Sequence, residues 1–94
     1  MALTKLSAVT RTAYSSNAGD YTISYSITQN NEEKAEKISG TIKKGELQYG
    51  TLYATSDGAI TVDFSAGILD EDKKLIFPTC VDDVKSIFEE LNKQ

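Results

Sequence analysis

Residues 21–28 read Tyr-Thr-Ile-Ser-Tyr-Ser-Ile-Thr, and their period of two decides the fold. In an extended chain, successive side chains point to opposite faces. Tyr21, Ile23, Tyr25 and Ile27 therefore share one face, and Thr22, Ser24, Ser26 and Thr28 share the other. Both sets are rich in the β-branched and aromatic residues that suit a half-buried strand.

The same pattern recurs toward the C-terminus. Ile38, Gly40 and Ile42 alternate with Lys37, Ser39, Thr41 and Lys43, and Gly45 marks a turn. Leu47 and Tyr49 then share a face, but beyond Gly50 the apolar positions move to Leu52 and Ala54. A one-residue change of phase at a glycine predicts a β-bulge. Asp57-Gly58 tolerates positive φ and predicts a hairpin turn. Ile60, Val62 and Phe64 form the returning strand.

On the N-terminal side, Leu3–Tyr14 reads as a first strand of open register. Ser15–Gly19 reads as the turn after it, and Asn30–Lys34 as the next turn. Gly67–Lys73 reads as a charged loop, and Leu75–Phe77 as a candidate short sixth strand ended by Pro78.

The period then changes. Val81, Val84, Ile87, Phe88 and Leu91 fall on one face of an α-helix. Thr79 is positioned as its N-cap, with Asp82 and Asp83 at the positive end of the dipole. Glu89 and Lys93 make an i,i+4 pair. The sequence thus predicts one α+β domain over residues 1–94. Residues 1–78 form mainly an antiparallel meander of about five strands, and an amphipathic helix over 79–93 packs on one face.

Bulk properties narrow the function. A chain of 94 residues suits one domain. The lone Cys80 excludes an intramolecular disulfide framework. Neither a transmembrane stretch nor a signal-peptide core stands out, so the expectation is a cytoplasmic protein with no membrane partner. Net charge is −4. The first 49 residues carry six basic and five acidic groups, and the last 45 carry four basic and nine acidic. An acidic chain is repelled from nucleic acid at long range.

Histidine is absent, which removes the commonest general base and metal ligand. The reading is therefore no enzyme, no catalytic residues, no cofactor and no metal. Cys80, in the first turn of a helix capped by Thr79, has Asp82 and Asp83 beside it, and these oppose a thiolate. It reads as structural. Asp70-Glu71-Asp72 lacks the spacing of a calcium loop and is followed at once by Lys73-Lys74, so it reads as solvated.

Three functions compete. The leading one is a small non-enzymatic interaction or regulatory protein that binds a protein partner, including itself as a homodimer, through a sheet edge or face. Its strand faces are hydroxyl-rich and lightly charged, which opposes strand pairing weakly. The second is single-stranded nucleic-acid binding, with Tyr49 and Tyr53 stacking bases and Lys37, Lys43 and Lys44 meeting phosphates. The third is a carboxylate-based enzyme or a small-ligand pocket between helix and sheet.

Overall fold

The computed structural model describes residues 9–30 and 34–92. Five strands follow one another along the chain: β1 (Val9–Ala18), β2 (Tyr21–Asn30), β3 (Lys37–Lys44), β4 (Leu47–Thr55) and β5 (Ile60–Phe64). Each pairs antiparallel with the next, in the spatial order β1-β2-β3-β4-β5. One helix, α1 (Asp70–Leu91), follows. No helix among the described residues is long and apolar enough to cross a membrane.

Two of the hairpins turn on glycine. Ala18 pairs with Tyr21 around Gly19-Asp20, and Lys44 with Leu47 around Gly45-Glu46. Gly19 (φ 61°) and Gly45 (φ 63°) supply the positive φ that tight hairpin turns need at their first central residue. At the Asp57-Gly58 turn, Thr55 Oγ1 and the Ala59 N–H both donate to Asp57 Oδ1.

The alternation of β2 works as read. Tyr21, Ile23, Tyr25 and Ile27 are all buried, with Ile38, Ile42, Leu52 and Ala54 beside them. The bulge falls where the phase changes. Ile42 pairs with Gly50 and Lys43 with Gln48, which leaves Tyr49 as the extra residue. The first strand extends further than its composition suggests. Ser15–Ala18 continue β1 instead of turning, because Ser16 and Ala18 keep the inward parity of Thr12 and Tyr14 and register with Ile23 and Tyr21. The expected strand over Leu3–Ala8, most of the turn at Asn30–Lys34 and the partner Lys93 lie outside the described residues.

The helix begins nine residues before the expected start. Asp70–Lys73 is not loop, Leu75–Phe77 is not a strand, and Leu69, not Thr79, is the N-cap. Two features compensate for Pro78 inside the helix. The buried stripe Ile76, Cys80, Val84 and Ile87 at i, i+4, i+8 and i+11 runs across the proline without interruption. Pro78 also removes the donor to the Lys74 carbonyl, and both residues are exposed, so water can serve that carbonyl. Asp70, Glu71 and Asp72 occupy the first turn, where carboxylates favour the positive end of the helix dipole. Thr79 instead donates from Oγ1 to the Leu75 carbonyl (3.1 Å).

Three polar ties set the helix on the sheet. Tyr21 Oη donates to Asp72 Oδ2 and Tyr25 Oη to Asp83 Oδ2, both at 2.7 Å. At the far end, Asn92 accepts from the Ala35 N–H (2.7 Å) and donates to the Ala35 carbonyl (3.0 Å). The helix therefore runs along the middle of the sheet in the direction of β2.

Candidate functional site

The mismatch between one helix and five strands creates the surface of interest. Five strands set about 4.8 Å apart span roughly 19 Å from β1 to β5. A helix with its side chains is only about 10 Å wide. The central strands are covered and the inward faces of both edge strands are not. Thr12, Tyr14 and Ser16 of β1 are half-buried, and so are Ile60, Val62 and Phe64 of β5. Two flanking grooves result, of opposite chemistry.

The β1 flank is polar and acidic. A cavity of about 160 Å³ lies between Tyr14, Ser16 and Tyr25 on the strands and Asp83, Ser86 and Glu90 on the helix. Burial and the Asp83 hydrogen bond push the Tyr25 hydroxyl far above its ordinary range. Tyr14 is raised by burial and by the Glu90 carboxylate. At the end of the sheet, the hydrogen bond to Asp72, then burial, push Tyr21 up to about 12. Tyr21 and Tyr25 donate to the helix carboxylates Asp72 and Asp83. The cavity is smaller than the few hundred Å³ typical of a small-molecule site.

The β5 flank is apolar with basic rims. One hollow of about 270 Å³ is lined by Ile60, Val81, Val84 and Phe88, with Lys85 and Glu89 at its edge. A wider one of about 500 Å³ lies between Val62 and Phe64 on the strand and Lys73, Lys74, Phe77 and Pro78 on the helix. Phe77 is 43% exposed. Lys73 pairs with Asp70 (3.4 Å), whereas Lys74 and Lys85 have no ion-pair partner among the described residues.

The open face of the sheet is different again. Two rows of paired residues cross all five strands: Ala13-Ser26-Ser39-Tyr53-Thr61 and Ser15-Ser24-Thr41-Thr51-Asp63. Small hydroxyl side chains dominate both, and Tyr53, 45% exposed, is the only large ring in them.

The residues considered for base stacking are divided between the two faces. Tyr53 lies on the open face with Lys37 and Lys43 at the same parity. The bulge turns Tyr49 to the helix side, edge-on to Tyr21 with ring centres 5.7 Å apart. Lys44 lies over the Tyr21 ring at 5.7 Å. The five do not form one platform.

Cys80 is fully buried in mid-helix, not in a first turn, and burial raises its pKa. Of the carboxylate run, Asp72 serves Tyr21 and Asp70 serves Lys73, and no metal-ligating group of three or more occurs among the described residues. No family model, curated protein or solved structure matches this chain.

The residues of the β5 flank are not singled out by sequence pattern. A signal exists, however. Lys74, Phe77, Val81, Lys85 and Phe88 recur at three- and four-residue steps, as a second helical stripe beside the buried one. The interruption by Pro78 hides it.

Proposed function

We propose that this chain is a small non-enzymatic interaction protein whose binding surface is the edge of its sheet, and whose partner is a second copy of itself. One observation carries the reading. On β5, an edge strand, the inward side chains Ile60, Val62 and Phe64 are only half-covered and run into the exposed Phe77 and Pro78. Edge strands offer unpaired backbone groups, and proteins usually blunt them with prolines, lysines or inward charges. β5 reads Ile-Thr-Val-Asp-Phe and has no such device on its helix side. The ten-residue β1 carries one charge, Arg11, and no proline. The open face, by contrast, is polar and hydroxylated, and suits solvent.

Sedimentation of the full chain over a wide concentration range tests this. Concentration-dependent association is expected. Phe77→Asp, at an exposed position, is expected to weaken it at least about tenfold, as removal of an apolar anchor does. A chain that stays monomeric at millimolar concentration, or that associates equally well with Phe77→Asp, contradicts the reading.

A further inference from the structure

We infer that copies of this chain join head to tail, the β5 edge of one against the β1 edge of the next, continuing a single sheet. The inference rests on the edge-association reading and adds which edges meet. Charge decides between the arrangements. The helix flank above β5 presents Lys73 (paired with Asp70), Lys74 and Lys85 with Glu89 beside them and so leans basic, whereas the flank above β1 presents Asp83 and Glu90 and no lysine. On the open face the signs reverse. The only charge in β5 is Asp63, and the only charge in β1 is Arg11.

A symmetric pair through β5 that keeps both helices on one face sets lysine flank against lysine flank. A symmetric pair through β1 sets carboxylate against carboxylate. Among pairs that keep both helices on one face, only β5 against β1 sets the lysine flank beside the carboxylate flank and places Asp63 and Arg11 on the same open face. Like charges set side by side discriminate against a wrong pairing. The polarity of the grooves fits too. Tyr14 of the incoming β1, half-buried and amphipathic, can cover the apolar hollow along Val62 and Phe64.

Direction follows from topology. In an antiparallel meander of five strands the first and last run the same way. A neighbour with its helix on the same face therefore adds β1 parallel to β5. Such a contact is heterologous. It does not close on two copies, and it builds a ring or a filament.

Two blocked variants test the arrangement. Val62→Lys places an inward charge on β5, and Ser16→Lys places one on β1, the device edge strands use against pairing. Circular dichroism establishes that each is folded. If Val62→Lys is not, Lys74→Glu with Lys85→Glu, at exposed helix positions, takes its place. Each variant alone is expected to sediment as a monomer, and an equimolar mixture as a discrete dimer of one copy of each. If wild type associates but one blocked variant still dimerises alone, the contact is symmetric and the head-to-tail inference fails while edge association stands. A mixture that stays monomeric while wild type associates also overturns it. A monomeric wild type overturns both readings.

Discussion

Gly50→Ala lowers stability by about 2–3 kcal/mol, in the range of core overpacking. Gly50 sits in the middle of the sheet, paired with Ile42 on one side and Phe64 on the other, next to the bulged Tyr49. A Cβ at this position comes within 2.6 Å of the Asp63 carbonyl oxygen and 3.3 Å of Ile42 Cδ1. The isoleucine can rotate, but the carbonyl belongs to the β5 backbone and cannot move without shifting the strand. The damage therefore reaches the β4–β5 pair first, and with it the edge proposed for association. Gly45→Ala is the control. It meets nothing within 4 Å, and its cost is the positive φ of 63° alone, about 1 kcal/mol. Denaturant unfolding of the two variants checks the difference. A Gly50→Ala loss no larger than that of Gly45→Ala contradicts the close approach.

Alkaline solution is expected to destabilise the protein through its tyrosine–carboxylate ties. In the folded state Tyr21 ionises at about 12, against 10.0 when unfolded, and Tyr25 is raised further still. Cys80 is also raised, from 9.0. Between the unfolded and folded values the native state holds more protons than the unfolded one. Stability then falls as pH rises. The contribution is complete well below pH 9, begins to fade near it as the unfolded thiol ionises, and falls further above pH 10 as the unfolded phenols follow. The Tyr21 share is lost by about pH 12, and the Tyr25 share continues to decline beyond it. Melting temperature is expected to drop continuously across that window, with phenolate absorbance rising together with loss of ellipticity. Tyr25→Phe removes one linked proton. It is expected to be less stable at neutral pH, where the hydrogen bond to Asp83 is lost, and to show a shallower decline above pH 10. A melting temperature independent of pH from 9 to 12 contradicts the role assigned to these hydroxyls.

The strands were legible because a half-covered sheet imposes period two directly on the sequence. Tyr21–Thr28 could be assigned on that ground alone, and the slip at Gly50 marked the bulge. The end of β1 was obscured because Ser15, Ser16 and Asn17 have turn composition, while their pairing with β2 is a long-range fact. The helix start was obscured by Pro78, a local breaker overruled by the burial of Ile76 and Cys80 on either side of it. The edge surface was legible only in outline. Weakly charged strands suggested pairing, but the hollows beside Val62 and Phe77 depend on where one helix lies on five strands, which no local pattern encodes.

Amide hydrogen exchange, compared at dilute and concentrated protein, tests the central claim most directly. Added protection at high concentration is expected in β5 (Ile60–Phe64) and β1 (Val9–Ala18), with the backbone of β3 unchanged. Exchange that is independent of concentration, or protection confined to the central strands under the open face, contradicts edge-directed assembly.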